Sequence, residues 1–299
     1  MARRSVFTIL VVAVLTLMVL SGLVLALMTS VGGGTGFGLG AKIAVIPVEG
    51  IIGDDREVLE HIRRFRDDPS VKGFVVAINS PGGAVGPSQS IYSELKRLRD
   101  ADGRPVIASI GGIGASGGYY VALGADSIFA LPGSITGSIG VIMELPNVGG
   151  LMEKVGVRMQ VVKSAEHKDI GSPFREMSSS DREVLGAMVE DVYQQFVEVV
   201  SLERNQDVEQ LQPIFDGRVV SGRQALKAGL IDRLGNINDA VAAAGLIAGL
   251  GRDPKRIYPP EDRVTLLDVL LGRAATHALS RLTAPLEQAT TPRVKFIVP

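Results

Sequence analysis

The first strong pattern along the chain is an apolar run from Val6 to Met28, 23 residues without a charge and dominated by Val, Leu, Ile and Met. A helix of that length spans a hydrocarbon core of roughly 30 Å, so the run predicts one transmembrane helix. It outlasts the apolar centre of a cleaved signal peptide, and no small-x-small cleavage site follows it. Arg3 and Arg4 precede it and Lys42 is the first charge after it, which puts the N-terminus in the cytoplasm and the remainder outside. Six glycines between Thr29 and Ala41 then predict a flexible tether with no capacity to pack.

From Lys42 the pattern changes. Short apolar runs at Lys42–Val48, Gly73–Ile78 and Pro105–Ile110 alternate with segments at Asp55–Arg66 and Ser88–Arg99 whose apolar residues recur every three or four positions. Continuous apolar strands separated by amphipathic helices describe an α/β domain with a parallel sheet covered on both faces and right-handed crossovers. Further strands are predicted at Ser127–Leu131 and Val157–Lys163, and helices at Ser179–Leu202, Arg223–Lys227 and Asn238–Leu250. An apolar stretch at Leu266–Leu271 precedes a weakly patterned tail. The expected organisation is a cytoplasmic stub and anchor over 1–28, a linker over 29–41, one globular domain over 42–260, and a C-terminal helix and tail over 261–299.

Composition narrows the chemistry. A formal net charge of -1 with 21% charged residues leaves no basic field for nucleic acid. With no cysteine, there is no thiol nucleophile, disulfide framework or thiolate metal site. The three histidines, His61, His167 and His277, include no pair at helical spacing, so no metal centre and no cofactor are expected. Two glycine-rich turns follow predicted strands, where ligands collect in α/β folds. Asn79-Ser80-Pro81-Gly82-Gly83 can point bare N–H groups at a ligand oxygen. The second turn, Gly111 to Tyr120, embeds Ser116 between Gly114 and Gly118 in the form of a nucleophile elbow. Read by residues alone, this turn suits either a reactive serine or a tight packing bend. A serine needs a base. His61 and His277 read as surface residues, whereas the polar loop Ser164 to Pro173 carries His167 and Lys168. A lysine becomes a base only when burial and the absence of a paired carboxylate favour its neutral form, and Glu166 and Asp169 stand beside Lys168. On residue type alone Lys168 reads sooner as an ordinary solvated lysine than as a base.

Five motifs in one order add a resemblance: N-S-P-G-G at Asn79–Gly83, A-S-G-G-Y-Y at Ala115–Tyr120, T-G-S-I-G-V at Thr136–Val141, K-S-A-E-H-K-D-I at Lys163–Ile170, and D-G-R-V-V-S-G-R-Q-A at Asp216–Ala225. Together they resemble the signal peptide peptidase A family of bacterial membrane serine peptidases, in its short form with one copy of a crotonase/Clp-protease-like domain. The resemblance implies a Ser-Lys dyad with Ser116 as nucleophile and Lys168 as base, and an oxyanion hole from the N–H groups of Gly83 and Gly117. Ser138 is implied as a hydrogen-bond partner that orients the lysine, set against a turn serine bonding its own backbone. It further implies an extracytoplasmic endopeptidase acting on hydrophobic peptides, chiefly remnant signal peptides, and a homo-oligomeric ring in which the dyad forms within one chain or across two. Rival readings are a related peptidase cutting membrane-protein segments, a non-catalytic membrane scaffold, and an acyl-CoA enzyme whose adenine pocket has no support in the sequence.

Overall fold

The computed structural model describes Thr16, residues 18–21, 40–260 and 294–297. The chain divides into two compact units, 1–40 and 41–299. In the first, Thr16 and residues 18–21 are helical, and the rest of the predicted transmembrane segment and tether lies outside the described residues. Among the described residues no helix is long and apolar enough to cross a membrane.

The second unit is built on a mainly parallel sheet. Strand β1 (Lys42–Ile52) runs parallel to β2 (Val71–Ala84), which runs parallel to β3 (Val106–Ala115). The first half of β3 pairs with β4 (Ser127–Ala130) and its second half with β5 (Ile135–Gly137), again in parallel. Between these strands run α1 (Arg56–Arg66), α2 (Val85–Asp102) and the short α3 (Gly117–Ala122). Next come β6 (Ile142–Met143), α4 (Gly149–Lys154), the long α5 (Ser179–Arg204) and α6 (Val208–Leu211). They are followed by β7 (Val219–Ser221), α7 (Gly222–Lys227), β8 (Arg233–Leu234), α8 (Ile237–Ile247), β9 (Lys255–Ile257) and β10 (Val294–Ile297). Among the described residues, antiparallel pairs are confined to β5 with β7 and to β10 with β2 and β6.

Alternate residues of β1 feed two cores, as the two-residue period of a strand requires. Ala44, Ile46 and Val48 join Ile62 and Phe65 of α1, Ile91 and Leu95 of α2, and Phe196 and Val200 of α5. Ile43 and Val45 face the other way, onto Ala240, Val241 and Ala244 of α8. Helices therefore cover both faces, as the continuous apolar strands predict. Helix α5 starts where a capping box forms: Ser178 Oγ accepts from the Asp181 N–H and the Asp181 carboxylate accepts from the Ser178 N–H. Glu203 near its other end ties it to α2, accepting from Tyr92 at 2.6 Å, Lys96 at 2.6 Å and Arg99 at 2.9 Å.

Two elements depart from expectation. The segment predicted as a strand at Val157–Lys163 belongs to no sheet. Its alternating pattern is that of a strand, but no partner strand lies alongside it among the described residues. Val157, Met159, Val161 and Val162 are left exposed, Val162 completely so at 102%. At the far end of the chain, four residues of the predicted tail form β10, which pairs with the end of β2 through Lys295↔Ala84, Phe296↔Gly83 and Ile297↔Gly82. The apolar stretch Leu266–Leu271 lies outside the described residues.

Candidate active site

Ser116 is the hinge between β3 and α3. It has φ 53° and ψ -117°, a region that a residue with a Cβ adopts only under strain. Its N–H donates to the Gly137 carbonyl at 2.8 Å, and its own carbonyl accepts from the Tyr120 N–H at 2.8 Å. The turn is locked from behind as well, because Tyr119 is fully buried and donates to the Leu230 carbonyl at 2.7 Å. The Ser116 hydroxyl is buried at 0% exposure and has no hydrogen-bond partner among the described residues. A polar atom so placed costs about 1–3 kcal/mol, and a fold tolerates it where the group has other work.

The Asn79–Gly83 turn packs directly on this elbow. Ser80 pairs with Gly114 in the β2–β3 ladder, and the Ser80 carbonyl lies where a Cβ on Gly118 would come within 2.6 Å. Asn79 Oδ1 accepts from the Ile113 N–H at 3.3 Å, stitching the two glycine turns together. Ser80 Oγ accepts from the Gly82 N–H at 3.1 Å and bends the turn, so that Gly82 reaches φ 104°. Gly83 is pressed against β1: a Cβ there would stand 2.2 Å from the Ile52 carbonyl oxygen. Gly117 is the first residue of α3 and, like Gly83, is buried. Nucleophile candidate and both N–H candidates thus belong to two turns in mutual contact.

Ser138 belongs to the same cluster. It follows Gly137, whose carbonyl holds Ser116, and it repeats the φ of 53° seen at Ser116. Its N–H donates to the Arg218 carbonyl at 2.8 Å, which draws the Asp216–Ala225 motif to the site. Thr136 Oγ1 donates to the Gly114 carbonyl at 2.7 Å, so the Thr136–Val141 motif is bonded to the elbow at two points. Four of the five sequence motifs therefore converge.

The fifth makes no hydrogen bond or ion pair to them among the described residues. Lys168 lies on an exposed 3-10 turn, Glu166–Asp169, and the unpartnered Ser116 hydroxyl receives no bond from its amine. His167, the other base considered, is committed elsewhere: its Nδ1 lies 3.0 Å from Asp181 Oδ1 and its Nε2 3.3 Å from Ser180 Oγ. His61 is on α1, and His277 lies outside the described residues. Around the Lys168 turn the structure adds residues that sequence reasoning passed over, namely Lys163 and Arg175, which both pair with Asp169, and Asp181, which pairs with Arg175. Arg175 holds the Asp169 carboxyl well below the usual carboxylate range, with Lys163 adding to the effect. Arg175 and then His167 do the same for Asp181. The S-x-x-D pattern at Ser178–Asp181 is a helix-start signal that singles out Asp181; nothing periodic marks Arg175.

Residues 99–250 match peptidase family S49, a stretch that takes in Ser116, Ser138 and Lys168. The chain is 43% identical to the protein slr0021 of Synechocystis over 77% of its own length and 83% of that protein's. It is 36% identical to Protease 4 of Salmonella typhi over 78% of this chain, and 32% identical to the chloroplastic serine protease SPPA of Arabidopsis thaliana over 74%. The match covers only 38% and 31% of those two longer proteins. With its strained, buried serine set against glycine turns in this frame, the chain belongs to peptidase family S49 and is an SppA-like serine peptidase.

Proposed function

We propose that this peptidase works by a Ser-Lys dyad, with Ser116 as nucleophile, Lys168 as general base, the N–H groups of Gly83 and Gly117 as the oxyanion hole, and Ser138 orienting the lysine amine. The observation that carries the reading is the Ser116 hydroxyl, buried without a partner on a strained elbow that packs against a second glycine turn. In the first step the Ser116 proton passes to the neutral Lys168 amine as Oγ bonds to the peptide carbonyl carbon, and the oxygen charge is taken by the two N–H donors. Collapse breaks the C–N bond, and Lys168 returns its proton to the leaving amine. A water then gives a proton to Lys168 and attacks the acyl ester, which releases the acid and restores Ser116.

Substrate would add as an extended strand at the edge of β2. The antiparallel pairing of β10 with Gly82–Ala84 supports this, because β10 itself lies beside Gly83 in that direction and a substrate strand would take its place. The membrane part of the reading rests on the charge-free Val6–Met28 run: a single-pass anchor, N-terminus cytoplasmic, the peptidase domain extracytoplasmic, and hydrophobic substrates such as remnant signal peptides. The chain also acts as a homo-oligomeric ring in this reading. Lys168 is exposed, and the chain leading to it carries exposed apolar residues at Val157, Met159, Val161 and Val162, a combination suited to a neighbour that covers them and receives the lysine. Purified full-length protein with a fluorogenic apolar peptide tests the dyad. Ser116→Ala and Lys168→Ala should each lose about a thousandfold or more in kcat. Full activity in either variant would remove that residue from the mechanism, and absence of turnover and of acyl-enzyme in the unaltered protein would favour a scaffold.

A further inference from the structure

The turn that carries Lys168 is held by charge, not by packing. None of its four residues is buried, and every residue from Val157 to Ala165 before it is exposed. Ser180 Oγ touches it at Glu166 and His167, each at 3.3 Å, Lys163 reaches the Glu166 carbonyl and the Asp169 carboxylate, and two further tethers flank Lys168. On one side His167 Nδ1 lies 3.0 Å from Asp181 Oδ1. On the other, Arg175 grips the Asp169 carboxylate with two donors, Nε to Oδ2 at 2.9 Å and Nη2 to Oδ1 at 2.9 Å, and Nη2 also reaches the Asp169 carbonyl at 3.3 Å. Arg175 Nη1 then donates to Asp181 Oδ2 at 2.6 Å and to the Glu176 carbonyl at 2.9 Å. Both tethers end on one carboxylate. Asp181 is 2% exposed and fixed at the start of α5 by its reciprocal bonds with Ser178.

The same bonds dispose of the acidic groups around the lysine. Glu166 and Asp169 share its turn, Glu176 lies in the loop that follows, and Asp181 stands on α5; the cations are Lys163, Arg175 and, when protonated, His167. Asp169 is taken by Arg175 and by Lys163 at 2.8 Å, and Asp181 by Arg175 and His167. Glu166 accepts from Ser180 Oγ at 3.3 Å, and Glu176 from Asn147 Nδ2 at 3.2 Å. This matters because a free carboxylate beside a lysine favours the charged ammonium and disables it as a base.

Resting on the reading of Lys168 as the base, we propose that Arg175 is its positioning residue. Arg175 pins the turn to the start of α5 and occupies the carboxylate of Asp169, the residue that follows Lys168 in the turn. Only a guanidinium can do both, because its planar fork grips one carboxylate with two donors and leaves a third for Asp181.

The test uses full-length protein in detergent, a fluorogenic apolar peptide, and kcat and KM measured from neutral to alkaline pH, with thermal unfolding in parallel. Arg175→Gln should lower kcat about 10–100-fold with little change in KM, the scale on which misplacing a reacting group acts. It should also move the rise of activity to higher pH, because Asp169 is set free. The double variant Arg175→Gln/Asp169→Asn should return that rise to its original pH while kcat stays low. Arg175→Lys, which keeps the charge and guards against a glutamine variant that fails to fold, should lower kcat about tenfold by losing the two-pronged grip. Arg175→Lys turning over like the unaltered protein would overturn the proposal. So would an activity loss in Arg175→Gln that only follows its loss of thermal stability, with the pH of the rise unmoved. Lys168→Ala separates the two ideas: full activity there defeats the lysine base itself, whereas an inactive Lys168→Ala beside an unaffected Arg175→Gln defeats the positioning role alone.

Discussion

The N–H of Ser116 donates to the carbonyl of Gly137 across 2.8 Å, and this bond joins two strained serines, since Ser116 and the neighbouring Ser138 both hold φ at 53°. A left-handed backbone at a residue with a Cβ costs of order 1–3 kcal/mol, and the buried, unpartnered Ser116 hydroxyl adds a second penalty at the same point. The surrounding fold offsets both by burying all of α3, with Tyr120 edge-on to Tyr92 at 5.2 Å and tilted against Phe196 at 4.9 Å. The elbow thus carries two local penalties at one residue, as the proposed role of Ser116 as nucleophile would require.

Relieving that strain should stabilise the protein while destroying its activity. Ser116→Gly removes both the Cβ conflict and the unsatisfied hydroxyl, against roughly 0.5–1 kcal/mol of added backbone entropy. We expect a net gain of about 1 kcal/mol in denaturant unfolding, with turnover reduced about a thousandfold or more. A variant less stable than the unaltered protein would contradict the strain argument.

The contact between the two glycine turns gives a second expectation. In Gly118→Ala the new Cβ meets the Ser80 carbonyl oxygen at 2.6 Å, a backbone atom with no rotamer to escape into. The Asn79–Gly83 turn must move away from the elbow, at a cost of about 1–3 kcal/mol. Activity should fall by far more than the fraction unfolded explains, because Gly83 moves with the turn. Gly111→Ala is the control: its nearest neighbour would lie at 3.6 Å, an ordinary contact, and it should be close to neutral in both assays.

How far these features were legible in the sequence differs element by element. The β1–β3 core and helices α1, α2 and α5 were readable because each buries a face with a fixed period, and periodicity is a local property. The elbow was readable because its glycines sit where a Cβ has no room: on Gly114 it would meet the Ile110 side chain at 2.7 Å, and on Gly118 the Ser80 carbonyl oxygen at 2.6 Å. The strand expected at Val157–Lys163 failed for the opposite reason. Alternation marks a face that wants cover, but whether cover exists depends on what lies alongside, which the sequence of one segment does not carry. Arg175 escaped notice on similar grounds, since its partners Asp169 and Asp181 are six residues away on either side and meet it only through the fold of the loop.

Glu203 should govern part of the acid sensitivity of the fold. Burial pushes its carboxyl upward, but hydrogen bonds from Lys96, Tyr92 and Arg99 outweigh that, and the net position is below the ordinary value of 4.5. A carboxyl depressed in the folded state contributes stability that is complete above its unfolded value and is lost as pH falls through the folded one. Glu203→Gln should therefore cost about 2 kcal/mol at neutral pH, and the gap to the unaltered protein should close as pH drops below about 4.5. Equal gaps at neutral and strongly acidic pH would show that packing, and not charge, links α2 to α5 here.

The exposed Lys168 turn leads to the last expectation. Ser116 Oγ finds no partner among the described residues of its own chain, and the apolar strip leading to Lys168 is uncovered. If a neighbouring copy covers the strip, a Ser116→Ala subunit still offers its lysine and a Lys168→Ala subunit still offers its serine. Each variant alone should be inactive. Dissociated, mixed in equal amounts and reassembled, they should recover about a quarter of full activity, the fraction of head-to-tail junctions that pair an intact serine with an intact lysine. Recovery should vanish if the subunits are mixed without exchange. A dyad completed within one chain predicts no recovery under any mixing ratio, because no subunit then holds both groups. The ratio dependence sharpens the test further, since activity across an interface follows the product of the two subunit fractions and so peaks at equal amounts.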